Sequence, residues 1–245
     1  MSLFASLTDR FKFEFVGRVI GVVSAAALTV GLARLLNPRD YGLLFLAISI
    51  LGIAELFSRL GIAKSAARYV ARYKETDPSQ ISHILKFAFT FNLVTVAITV
   101  SVVLLFHEYI AGLVGEPDVG PLLLSGSVFV ASNTLVIFSR LLLQGFEKIE
   151  TAAVLYASDR GIRAVLSIGF VLLGWGAMGA LAGYVLASGL VAISGIIYVY
   201  LFHYRNSGSG SRELGIRRRI AEYTVPLTVT GTADVIDKRI DTILV

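Results

Sequence analysis

The 245-residue chain contains no cysteine. Disulfides, thiolate zinc sites and cysteine nucleophiles are thereby excluded. Charge is scarce: 16% of the residues are ionisable acids or bases, against about 25% in an ordinary soluble domain. There are three histidines, His83, His107 and His203; they sit at the edges of apolar runs and not at metal-ligand spacing, and they read as interfacial residues. The sequence has no Asp-x-Asp loop and no glycine-rich phosphate loop. Hydrophobic residues make up 56% of the chain, and the mean hydropathy is +0.77. A protein in water must cover itself with polar groups, and this composition cannot.

The apolar residues form runs at 15–36, 43–62, 85–106, 121–144, 152–173 and 177–202, with a seventh starting near 223. Each complete run is about 20 residues or longer, enough for a helix to cross a hydrocarbon core about 30 Å thick. The runs are continuous and do not alternate, which excludes membrane strands. In lipid the backbone must satisfy its own hydrogen bonds, which leaves helices. The expected fold is all-α: a polytopic membrane helical bundle. A signal-peptide-like Ser24-Ala25-Ala26-Ala27 lies in the first run, but that run continues to Leu36 and turns at once into the next, as a retained helix would.

The 22 basic residues against 17 acidic ones would suggest nucleic acid in a soluble protein. Here they mark sidedness instead. With the N-terminus in the cytosol, thirteen fall on inside segments: Arg10 and Lys12; Lys64, Arg68, Arg72, Lys74 and Lys86; Lys148; and Arg205, Arg212, Arg217, Arg218 and Arg219. The outside loops hold only Arg39, as the positive-inside rule requires of a multi-pass protein of the cytoplasmic membrane. Asn37-Pro38-Arg39-Asp40-Tyr41-Gly42 is the outside turn of the first hairpin: Pro38 should stop the first helix, and Gly42 should let the second begin. Residues 62–75 are amphipathic, with Ile62, Ala66, Tyr69, Val70 and Tyr73 on one face and Lys64, Arg68 and Arg72 on another. Two placements fit: an interfacial helix on the cytosolic leaflet, or an extension of the second span. The chain divides into a six-helix lobe at 1–205, a flexible basic cytosolic linker at 206–219 around Asn-Ser-Gly-Ser-Gly-Ser, and a further helix at 220–245.

An ionised side chain at the centre of a span costs about 2.5–3.5 kcal/mol on insertion scales, so each calls for a partner or a wet cavity. Glu55 and Arg59 are four apart on the second span, as are Asp159 and Arg163 on the fifth, and each pair can neutralise itself along one helix face. Arg160 still needs an acid, an anion or water. Arg18, Arg34 and Arg140 lie near helix ends; for Arg34 and Arg140 snorkelling is expected. Asp234, Asp237, Lys238, Arg239 and Asp241 crowd the seventh segment, which no lipid-facing helix would tolerate, so a hydrated cavity is expected there. Asn92 and Asn133 suit interhelical hydrogen bonds. Gly21 and Gly31, with small neighbours in the first span, and Gly179, Gly183, Gly189 and Gly195 in the sixth suit close helix approach.

Residues 32–62, LARLLNPRDYGLLFLAISILGIAELFSRLGI, resemble the polysaccharide transporter family, the O-antigen-type flippases of the multidrug/oligosaccharidyl-lipid/polysaccharide superfamily. Leu35, Pro38, Asp40, Tyr41 and Gly42 match the family's first turn, and Leu60-Gly61-Ile62 a later element. Leu143-Gln144-Gly145-Phe146, Gly174-Trp175-Gly176-Ala177 and the last 21 residues, VPLTVTGTADVIDKRIDTILV, extend the likeness along the chain. The resemblance implies a MATE-like N-terminal six-helix lobe plus the start of helix seven. Family members have about twelve to fourteen helices in two pseudo-symmetric lobes, so a chain stopping at Val245, inside helix seven, is expected to be a fragment.

The resemblance also implies a flippase, not an enzyme and without a cofactor. It would move an oligosaccharide on a polyprenyl phosphate or pyrophosphate across the membrane by alternating access. Partners would be the lipid-linked oligosaccharide, membrane lipids and glycan-assembly proteins, with no nucleic acid. In relatives helices one, two, seven and eight border the cavity, which nominates Arg18, Glu55, Arg59, Asp234, Asp237, Lys238 and Arg239. Arg160 and Arg163 are added from the reading of charges alone. Three rivals remain: a drug or cation antiporter of the same superfamily, which would want carboxylates in a neutral cavity; a membrane enzyme, which would want a larger surface loop; and a non-transporting scaffold of a glycan-assembly complex.

Overall fold

The computed structural model describes residues 2–205 and, beyond them, 215, 218–220, 222 and 224; for residues 2–13 it describes the backbone alone. The described residues form helices α1 (Ser2–Leu35), α2 (Pro38–Arg59), α3 (Ile62–Thr76), α4 (Ile81–Val114), α5 (Gly120–Gly145), α6 (Ile149–Leu172) and α7 (Gly176–Val199), and a π-turn, Tyr200–Tyr204, ends α7. The six expected spans are thus α1, α2, α4, α5, α6 and α7.

Among the described residues five stretches are long and apolar enough to cross a membrane: Glu14–Leu35, Pro38–Arg59, Pro78–Val114, Pro117–Gly145 and Gly176–Tyr204. The fifth expected span, α6, has the length, 24 residues or about 36 Å, but its apolar run is interrupted by Asp159, Arg160 and Arg163. Its place between α5 and α7 carries it across. Arg39 donates to Asp118 at 2.5 Å, and Asp40 lies against Gly176, so the α1–α2, α4–α5 and α6–α7 connections share one end of the bundle. At the other end Lys74 meets Glu147 at 3.2 Å, and the rings of Phe146 and His203 are 4.0 Å apart. The six helices alternate in direction between these ends.

The first turn differs in detail from expectation. Asn37 caps α2: its Oδ1 accepts from the Asp40 backbone N–H at 2.8 Å, and Pro38 takes the first helical position, where its missing N–H costs nothing. Gly42 lies inside α2 with nothing within 4 Å of where a Cβ would be, so it plays no part in starting the helix. After α2 the chain breaks at Leu60 and Gly61, both left-handed at φ 36° and 68°. That break makes α3 a separate helix and removes the reading of 62–75 as a continuation of the second span. Its apolar face is covered by protein: Ile62, Ala66, Val70 and Tyr73 are buried against α4 and α5. At Gly145 an added Cβ would stand 2.6 Å from the Ala67 carbonyl oxygen, so α3 presses directly on the end of α5. The Ser65 hydroxyl also donates to the Ile220 carbonyl at 3.1 Å, tying α3 to the chain beyond the Gly/Ser stretch.

α5 is the central helix, and α2, α3, α4, α6 and α7 all pack on it. α1 leans mainly on α6 and scarcely touches α2. Glycines permit the closest approaches. A Cβ on Gly183 of α7 would fall 2.3 Å from Ser167 Oγ of α6, and one on Gly195 would fall 2.9 Å from Ser139 Cβ of α5. Gly179 packs as tightly, whereas Gly189, expected to do the same, has nothing within 4 Å. Outward-facing Leu105, Leu113, Val165 and Leu173 are 70–77% exposed, a surface that lipid solvates and water would not.

The interior has three layers. One apolar core, with Leu32, Leu44, Leu51, Leu123 and Leu181, fills the end near Asn37. A second, with Ile62, Val70, Ile84, Leu142, Leu143 and Ile220, fills the end near α3. Between them lies a buried polar layer: the Ser58 and Thr134 hydroxyls are 2.6 Å apart, and Thr95 donates to the Ser58 carbonyl at 2.7 Å. Asn92 belongs to this layer, but its Oδ1 is buried without a partner, so the interhelical bond expected of that oxygen is not made.

Candidate functional site: a chain of ion pairs and a basic recess

In the polar layer, charges on α2 and α6 join through an amide on α5 into one chain. Arg59 donates to Glu55 one turn earlier on α2. Asn133 Nδ2 of α5 donates to the same Glu55 oxygen at 2.5 Å, while its Oδ1 accepts from Arg163 Nη2 of α6 at 3.2 Å. Arg163 Nη2 also donates to both Asp159 oxygens, at 2.8 and 2.7 Å. The Arg163 guanidinium lies 5.0 Å from the Phe129 ring centre and 4.9 Å from that of Tyr184. Asp159 and Arg163 are each 4% exposed and Glu55 7%. Two helical pairs, each neutral in itself, are thus linked by one amide that offers a donor to the carboxylate and an acceptor to the guanidinium. Such pairing offsets the desolvation that an isolated buried charge would suffer.

Arg160 points elsewhere. It and Arg140 of α5 approach one tyrosine: their guanidinium carbons lie 5.6 and 5.1 Å from the Tyr156 ring centre. Among the described residues no carboxylate lies within ion-pair distance of either. Both Nε atoms are buried and make no hydrogen bond. Beside them opens a cavity of about 450 Å³ whose wall includes Arg18, Arg140, Gln144 and Tyr156. Arg18 leans on Glu14 at 2.8 Å and is otherwise exposed. Gly21 of α1 gives the tyrosine its room, because a Cβ there would fall 2.4 Å from the ring.

The Glu14–Arg18, Glu55–Arg59 and Asp159–Arg163 pairs cancel, so among the described residues the two arginines on Tyr156 leave this region with surplus positive charge. In low-dielectric surroundings that surplus favours a multivalent anion, and guanidinium forks match phosphate oxygens in particular. Of the sequence candidates, Glu55, Arg59 and Arg163 are brought together in the ion-pair chain, Arg18 lines the recess, and Arg160 lies outside its lining, against Tyr156. Asp234, Asp237, Lys238 and Arg239 lie outside the described residues. Arg140 is a correction: expected to snorkel, it lies across Tyr156 instead. No local pattern signals that pairing, which joins α5 to α6; the only trace in the sequence is the excess of arginine over carboxylate in those two spans.

This arrangement of alternating helices has the fold of half of two solved transporters. A solved outward-facing multidrug resistance MATE-family transporter of the MOP superfamily superposes with a TM-score of 0.63 at 17% identity. A MOP-superfamily transporter from Pyrococcus furiosus, described as having a binding pocket of reversed polarity, gives 0.62 at 19%. Each comparison covers 90% of this chain and 50% of the solved one, so the chain spans half the length of those transporters. The chain belongs to the polysaccharide biosynthesis protein family, whose profile matches residues 15–245. No curated protein matches the sequence.

Proposed function

We propose that the chain forms one wall of a flippase that carries a lipid-linked oligosaccharide across the cytoplasmic membrane by alternating access, with its N-terminus in the cytosol. The observation that carries this reading is the uncompensated pair, Arg140 and Arg160, on Tyr156 beside the recess. A polyprenyl pyrophosphate headgroup presents the oxygens that this surplus charge lacks, and the recess replaces part of its hydration. Arg18, paired with Glu14, adds a neutral pair to the wall of the recess, while the Glu55–Asn133–Arg163 chain holds α2, α5 and α6 in register. Membership of a polysaccharide biosynthesis family supports a glycan as cargo. No bond is made or broken in this scheme; the work is binding and release as the wall turns from one side of the membrane to the other.

The test is binding of a short-chain polyprenyl pyrophosphate sugar to the purified protein in detergent, compared with an organic cation such as tetraphenylphosphonium. Saturable binding of the pyrophosphate, weakened at least tenfold in Arg140→Gln and Arg160→Gln, is the expected result. Binding of the cation alone, or equal affinity in both variants, would overturn the reading.

A further inference from the structure

A second cavity lies on another side of α5. It holds about 350 Å³, and its floor is Phe138, Ser139 and Leu142, whereas the basic recess uses Arg140 and Gln144. Successive α-helical residues turn by about 100°, so Phe138 and Leu142 project about 200° away from Arg140. Phe89 of α4 and Ile196 of α7 form the walls. Its rim carries Lys86, Tyr200 and Tyr204. Lys86, Thr90 and Tyr200 are exposed, so the cavity opens sideways from the bundle toward lipid.

Three observations set this groove apart from the ordinary roughness of a lipid-facing surface. Lys86 stands about 7.5 Å along α4 from the helix start at Ile81, the depth of a headgroup boundary, and no described carboxylate pairs with it. The π-turn Tyr200–Tyr204 that ends α7 lies at the same rim, with its terminal rings stacked 5.5 Å apart; π-turns are frequent at functional sites. Ser139 on the floor has a buried hydroxyl with no hydrogen-bond partner.

We infer that this groove between α4 and α7 is a specific site for an anionic phospholipid of the leaflet facing α3. One acyl chain would lie on Phe138 and Leu142, and the phosphate would meet the Lys86 ammonium. A tail attached to a headgroup in the Arg140 recess would have to pass round α5 to reach this floor, so the occupant is a resident lipid and not the carrier chain. A lone cation above an apolar slot suits a headgroup of one negative charge.

The full chain is purified in micelles doped with equal phosphatidylglycerol and phosphatidylcholine, each bearing a diazirine near the end of one acyl chain. Photolysis should attach phosphatidylglycerol to Phe89, Phe138, Leu142 or Ile196. In Lys86→Gln, whose side chain is exposed, the preference for phosphatidylglycerol should fall about fivefold while total labelling of the groove persists. Cross-links scattered evenly round the bundle, an unchanged preference in Lys86→Gln, or displacement of the phospholipid by polyprenyl phosphate would each overturn the assignment. These outcomes do not depend on whether the Arg140 recess binds pyrophosphate.

Discussion

Arg163 shows how a membrane interior tolerates an ion. Its guanidinium is held through Nη2 by both Asp159 oxygens and by Asn133 and lies against two aromatic rings, while its buried Nε makes no hydrogen bond. Removing one partner strands the other in a dry interior. Arg163→Ala is therefore expected to lower stability by about 3–5 kcal/mol, whereas Asp159→Leu combined with Arg163→Met should recover most of the loss. Thermal unfolding in detergent, followed by loss of the monodisperse size-exclusion peak, measures both. Equal melting of Arg163→Ala and the parent would remove the ion pair from the structural account. The spacing of four residues makes both helical pairs legible in the sequence. The Asn133 bridge is not legible, because it depends on three helices meeting at one depth. Arg140 misleads for a related reason: the tyrosine it covers is sixteen residues away on another helix.

Among the elements, α6 and α7 are locked by contact at Gly183. Gly183→Ala would place a methyl group 2.3 Å from Ser167 Oγ and 2.4 Å from its backbone nitrogen, so the helices must part, at a cost of about 1–3 kcal/mol. Gly189→Ala meets nothing within 4 Å and should be neutral or stabilising by up to about 1 kcal/mol through helix propensity. Folded yield and melting temperature of the two variants, measured side by side, test the contrast; similar losses in both would mean that helix spacing is not set at Gly183. Continuous hydropathy reveals each span but not always its ends: α4 continues to Val114, eight residues beyond its apolar run at 85–106, and α1 begins at Ser2, well before its run at 15–36. It cannot separate a glycine that admits a neighbour from one that faces lipid, since both look alike along the chain. The same limit applies to α3. Its amphipathic pattern is plain, but only packing reveals that α4 and α5, and not lipid, cover the apolar side.

At the scale of the whole molecule, the alternation of the helices places Glu116 and Glu75 at opposite ends. The absence of natural cysteine makes this directly testable. Glu116→Cys should react with an impermeant maleimide on intact cells, and Glu75→Cys only after permeabilisation; labelling of both from one side would dismantle the topology. The polar middle layer also bears on biogenesis. α6 carries Asp159, Arg160 and Arg163 within its apolar run and is poorly suited to leave the insertion machinery alone. The side chain that receives it, Asn133 of α5, and Glu55 of α2, which holds Asn133, are synthesised before it. A nascent α6 thus meets a docking face already in the bilayer, and the order of residues along the polypeptide sets the order of assembly: α1, α2 and α5, which can enter lipid unaided, come before the helix that needs their company.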